Sequence, residues 1–285
     1  MSRVAVITDT DSSLSPQVAA DCGIRLVPIT IHFGDEVYRT GVEIDDAALF
    51  ARVDREGVLP TTSAPAPGMF AEAYQQAFDA GAESIVCVCV SSQVSATYAA
   101  ALNARELFPR REIRVIDSYM LSIAQGFMAL AAADAARAGA TAEEVEAAAL
   151  AVRERTHLFA ALATLKYLAM SGRVGHIAAG VAGLLNVKPI LTIRDGKLEL
   201  LERVRTQSKA WGRVAELLAQ AVGSAPVERM AIFHVAAPEM ARDFEQLLRT
   251  RMACPPDVLI TELTPGLSVH SGAGMVGAAV LTAAG

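Results

Sequence analysis

The chain has 285 residues, 53% of them hydrophobic and 20% charged, with a net charge of −6. That is enough apolar material for one large domain or two intimate ones. The acidic balance and the lack of a basic stripe argue against nucleic acid, which needs Lys and Arg clustered on one face.

Four cysteines, Cys22, Cys87, Cys89 and Cys254, include no Cys-x-x-Cys pair. They read as buried free thiols in a reducing cytoplasm, not as a zinc site. Met1-Ser2-Arg3 runs directly into a short apolar strand, unlike a secretory leader. Ala124 to Ala140 contains Gln125, Asp134 and Arg137 and is too polar to span a bilayer. The expectation is a cytoplasmic protein without stable membrane insertion.

Taken in chain order, Val4 to Thr8 predicts a buried strand, followed by the polar loop Asp9 to Ser13. A second strand is expected over Ile24 to Phe33, turning at Gly34-Asp35-Glu36 into Val37 to Arg39. Asp45 caps a helix that runs to Glu56, and the prolines of Pro60 to Pro65 make a loop. A helix follows from Pro67. Ser84 to Val90 is apolar without alternation, as in a parallel strand covered on both faces. Its carboxyl end is the hydroxyl-rich Ser91 to Thr97, from which a helix runs to Leu107. Ile113 to Ile116 is another strand, ending in Asp117-Ser118. Two helices follow, the second opened by a capping box of Thr141 and Glu144.

From about residue 156 the pattern changes. Leu158 to Leu165 suggests a strand, and Lys166 to Ser171 a short helix. Lys188 to Arg194 and Lys197 to Arg205 form a hairpin around Asp195-Gly196. Lys209 to Ala221 and Pro238 to Arg251 predict helices; Val227 to Val235 and Val258 to Leu263 predict strands. A final helix is expected near Ser271. The fold class is therefore α/β in two domains. Residues 1–155 would hold a parallel sheet with flanking helices, and residues 156–285 a mixed sheet.

Three strands end in hydroxyl or carboxylate clusters: Asp9 to Ser13, Ser91 to Thr97, and Asp117-Ser118. Ligands of open α/β sheets bind beyond the carboxyl ends of the strands. Thr61-Thr62-Ser63 adds a fourth hydroxyl cluster. Neutral hydroxyls hold a carboxylate without the desolvation of a second charge. Gly272-Ala273-Gly274-Met275-Val276-Gly277 fits G-x-G-x-x-G, but the chain ends before a dinucleotide-binding βαβ unit could follow. At the start of a helix these glycines, beside His270, would let an anion approach backbone N–H groups.

The alternative is an enzyme. His270 with Ser63 or Ser95 would make a Ser–His hydrolase, and Asp9-x-Asp11 an Asp-dependent phosphotransferase, in either case acting on a small substrate. Against it, no nucleophile elbow, no metal-ligand spacing and no G-x-x-x-x-G-K-[ST] phosphate loop occurs in the sequence.

Several segments carry a resemblance, in order along the chain. They are Thr8-Asp9-Thr10-Asp11-Ser12-Ser13-Leu14, Thr62-Ser63-Ala64-Pro65-Ala66-Pro67, Ser91-Ser92-Gln93-Val94-Ser95-Ala96-Thr97-Tyr98, Asp117-Ser118, Leu165 to Val174, Leu184 to Leu191, and His270-Ser271-Gly272-Ala273-Gly274. Together they resemble the DegV family, the fatty-acid-binding subunits of bacterial fatty acid kinase.

The resemblance implies that one long-chain fatty acid is the ligand. The resemblance puts the ligand's carboxylate on Thr62, Ser63, Ser95 and His270; Gly272, from the glycine-rich segment, is expected to join them, and the strand-end residues Asp9, Ser12, Thr97 and Ser118 to support the loops. It implies no catalytic residue, metal or cofactor in this chain. A separate fatty acid kinase catalytic subunit would phosphorylate the bound carboxylate, and Arg173, Arg203 and Arg205 are candidates for docking it. Three positions depart from the family pattern: Ala96 stands for glycine, Ala64 for glutamine and Ala273 for proline. Ala178–Leu185, Ile123–Met128 and Ile190–Ile193 are candidate walls for the acyl chain.

Overall fold

Apolar runs without alternation become the central strands of a parallel sheet, as their composition requires. The computed structural model describes residues 3–171 and 187–284. The chain divides into two units, Met1–Ile44 with Thr62–Glu154, and Asp45–Thr61 with Arg155–Gly285.

In the first unit, β1 (Val4–Asp9), β2 (Ile24–Val27), β6 (Ser84–Cys89) and β7 (Glu112–Asp117) pair in the order β2-β1-β6-β7, all parallel. Helices α3 (Pro67–Asp79) and α4 (Thr97–Arg105) cover one face, where Phe70, Tyr74 and Ala101 meet Ile7, Ile85 and Cys87. α5 (Ser122–Arg137) and α6 (Ala142–Arg153) pack on each other and on β6. Val86 and Val88, which alternate with Ile85 and Cys87, are fully buried as well, so both faces are covered. The capping box forms as expected: Thr141 Oγ1 accepts from Glu144 N, and Glu144 Oε2 accepts from Thr141 N.

The expected strand over Ile24 to Phe33 is in fact two. Pro28 has no N–H to give a ladder, and the Ile29 N–H goes to Thr10 Oγ1 at 3.0 Å. After this break, β3 (Thr30–Phe33) joins a separate small sheet in the order β4-β3-β5, with β4 (Glu36–Arg39) and β5 (Thr61–Ser63). The loop expected over Pro60 to Pro65 thus contains a short strand.

The second unit holds a mixed sheet of β8 (Thr156–Ala161), β9 (Lys188–Arg194), β10 (Lys197–Val204), β11 (Val227–His234), β12 (Leu259–Glu262) and β13 (Val276–Thr282), in the order β10-β9-β8-β13-β11-β12. Every neighbouring pair is antiparallel except β11 with β12. At the β9–β10 turn, Asp195 and Gly196 have φ of 49° and 75°, the two positive angles of a type I′ hairpin. Helices α8 (Gln207–Val222) and α9 (Pro238–Arg249) bury Val214, Leu218, Phe244 and Leu248 against Ile232 and Ala278. α2 (Asp46–Glu56) belongs to this unit and packs on α10 (Pro265–Ser271), which also meets α7 (Lys166–Ser171).

One expectation is overturned at the end of the chain. No helix starts near Ser271; α10 stops there, and residues 276–282 form a wholly buried central strand. The fold class otherwise stands: an α/β protein with a parallel sheet early and a mixed sheet late. Among the described residues no helix is long and apolar enough to cross a membrane.

Candidate functional site

At the end of β1, Asp9 is fully buried and both its oxygens are engaged. Oδ1 accepts from Asp11 N at 3.0 Å, and Oδ2 accepts from Val90 N at 2.8 Å and Gln125 Nε2 at 3.1 Å. Burial pushes its pKa up to about 6, opposed by those hydrogen bonds. The carboxyl therefore ties β1, the end of β6 and α5 together. Ser12, in the next turn, is buried too, with no hydrogen-bond partner for Oγ among the described residues.

The next two strand ends are stitched to each other. Ser118 N donates to Cys89 O at 3.1 Å, Ser91 N to Met120 O at 2.9 Å, and Ser92 N to Asp117 Oδ1 at 3.1 Å. Ser118 Oγ donates to Met120 O and accepts from Met120 N, both at 3.0 Å. These bonds hold the loop that presents Ser95, which is half-buried and 2.8 Å from Thr97 Oγ1. Ala96, the residue in place of the family glycine, has φ −80°. Alanine adopts that angle without strain.

The small sheet of the same unit carries the second set of hydroxyls. Thr62 is half-buried and Ser63 exposed. Ser63 Oγ lies 2.7 Å from His32 Nε2 and 2.7 Å from Thr30 Oγ1. Thr30 and His32 reach Ser63 together because residues two apart on a strand share one face.

In the second unit, His270 lies half-buried in the last turn of α10. Gly272 ends that helix, its N–H donating to Ser268 O at 2.8 Å. The anion-binding role expected for Gly272 rested on a helix start. The helix ends here, and the N–H is already used by it. The glycine serves packing instead, because a Cβ at Gly272 would stand 2.2 Å from Tyr167 Cδ2.

Two residues before His270, Ser268 Oγ donates to Asp46 Oδ1 at 2.5 Å. Asp46 Oδ2 has no partner among the described residues. Burial first, then the charges of Glu262 and Asp45, lift the Asp46 pKa to about 7, against the lowering effect of the Ser268 bond.

Arg203 and Arg205 are exposed, one on β10 and one just past its end. Arg173 and the Ala178–Leu185 stretch lie outside the described residues. Among the described residues no cluster of three or more His, Cys, Asp or Glu side chains is placed to hold a metal. The strand ends of the first unit carry the hydroxyls of Ser91, Ser95, Thr97 and Ser118 beside the carboxylates of Asp9 and Asp117.

The family model described as "uncharacterised protein, DegV family" matches residues 3–283. The chain belongs to the DegV family. A DegV domain-containing protein of Streptomyces coelicolor is 37% identical over 281 residues, covering 98% of this chain and 99% of its own. The solved structure of a DegV family protein from Thermus thermophilus, reported for its fatty acid binding, is 29% identical with a TM-score of 0.88. It covers 99% of this chain and 100% of its own. DegV of Bacillus subtilis, described as a fatty acid binding protein, is 26% identical with a TM-score of 0.87, over 99% of this chain and 100% of its own. Both sheets thus belong to one recurring DegV architecture.

Proposed function

We propose that this DegV protein binds one long-chain fatty acid in a buried tunnel and presents its carboxylate to a separate kinase, which converts it to an acyl phosphate. The observation that carries the reading is the likeness over 99% of the chain to a Thermus thermophilus relative reported for fatty acid binding. In this reading Thr62, Ser63, Ser95 and His270 hold the carboxylate. Asp9, Ser12, Thr97 and Ser118 support the loops around them. Burial of the acyl chain contributes about 0.8 kcal/mol per CH₂. The tail therefore supplies most of the affinity, and the hydroxyls decide which end is presented.

The chain has no phosphate-binding loop of its own in its sequence, so the ATP is handled by the partner. Arg203 and Arg205, exposed guanidiniums, are the proposed docking groups, together with Arg173. The same reading, work beside an ATP-dependent kinase, supports a cytoplasmic location.

Mass spectrometry of the purified chain, native and then after organic extraction, tests the reading. Release of about one fatty acid per chain is the expected result. A chain that is empty as purified and takes up no added palmitate or oleate would sink it.

A further inference from the structure

Ser63 has a single hydroxyl proton, and several acceptors compete for it. His32 Nε2 and Thr30 Oγ1 each lie 2.7 Å from its Oγ. Thr30 Oγ1 also lies 3.3 Å from the Ser63 carbonyl oxygen and 3.4 Å from His32 Nε2. The three side chains share these contacts, so the direction of the His32–Ser63 bond bears on the others.

We infer that His32 is a positioning residue that decides whether Ser63 has a proton to donate to a ligand carboxylate. This rests on the proposed function, which puts the carboxylate at Ser63. A neutral imidazole has one donor and one acceptor nitrogen; an imidazolium has two donors. With Nε2 bare, it accepts the Ser63 proton, and Ser63 turns only lone pairs towards an anion. With Nε2 protonated, it donates to Ser63 Oγ, and the serine proton is released. Thr30 can send its own proton to the Ser63 carbonyl and accept from Ser63, so the network stays satisfied without a ligand. A carboxylate displaces this neutral acceptor, because charge-assisted hydrogen bonds are the stronger ones.

Carboxylate binding at Ser63 and a proton on His32 Nε2 therefore favour each other, and the coupling is reciprocal. The other ionisable groups on the strands beside β3 are internally paired. On β4, Arg39 binds Glu43 at 2.8 Å and Tyr38 donates to Glu36. Val37 stands opposite His32 in the ladder, and β5 carries only hydroxyls.

The experiment uses the full chain, with palmitate as probe and hexadecanol as the uncharged control. Ser63→Ala should lower palmitate affinity relative to hexadecanol about three- to tenfold. In unaltered protein with ¹⁵N-labelled histidine, the ¹⁵N shifts should show His32 Nε2 carrying a proton when palmitate is bound.

If Ser63→Ala leaves palmitate affinity unchanged, the carboxylate is not at Ser63, and site reading and inference fall together. If Ser63→Ala weakens palmitate binding but His32 Nε2 carries no proton in the palmitate complex, the inference alone is overturned.

Discussion

The carboxyl of Asp46 and the hydroxyl of Ser268 meet at 2.5 Å although 222 residues separate them. Asp46 is the first residue of α2, and Ser268 lies one turn into α10. The bond fastens the helix that carries His270 to a segment from much earlier in the chain.

Asp46 should make stability fall as pH rises. Its folded pKa, about 7, is raised above the ordinary carboxyl value of 3.8. Between those values the native state holds a proton that the unfolded chain has released. The stabilisation is complete below about pH 4 and is lost as pH rises through about 7. Asp46→Asn should remove this slope and be more stable than wild type at pH 8 by on the order of 2 kcal/mol. Urea unfolding at pH 5 and pH 8 reads it directly; an unchanged slope in the variant means the carboxyl is better solvated than its burial indicates.

Asp9→Ala should cost on the order of 2–4 kcal/mol, because Val90 N–H and the Gln125 amide lose their acceptor in a buried site. A catalytic aspartate would behave differently, its removal leaving stability intact or improved. Thermal unfolding of the variant separates the two roles.

Gly272 has φ +80° and ψ 158°, a region reserved almost entirely for glycine. Gly272→Ala adds the close approach to Tyr167 and should destabilise by roughly 2–4 kcal/mol. Tyr167→Ala in the same chain should recover part of that loss, since it clears the ring but not the backbone strain. A double-mutant cycle with no coupling would show that Tyr167 moves aside freely.

Thr141→Ala should cost about 1 kcal/mol by removing the acceptor for Glu144 N at the start of α6. Thr141→Ser should restore most of it. Denaturant midpoints for the three chains check this, and equal midpoints would make the capping box energetically silent.

Much of the fold was legible because its causes are local. The turn at Asp195-Gly196, the Thr141–Glu144 capping box and the unalternating strand at Ser84 each act within a few residues. Their geometry is set by backbone sterics and hydrogen-bond reach. The strand-end hydroxyl clusters were legible for the same reason, as loops following apolar runs.

Long-range pairing decided the rest. Val276 to Thr282 is small and apolar and suits helix or strand equally; β8 on one side and β11 on the other make it a strand. The break at Pro28 became visible only once Thr10 took the Ile29 N–H. Thr30 and His32 acquire meaning when β5 brings Ser63 beside them, and Asp46 when α10 arrives with Ser268. The sequence by itself determined which segments are strand or helix where the period and caps are local. Tertiary structure alone decided which of them are neighbours, because a hydrogen bond has no memory of the number of residues between its partners.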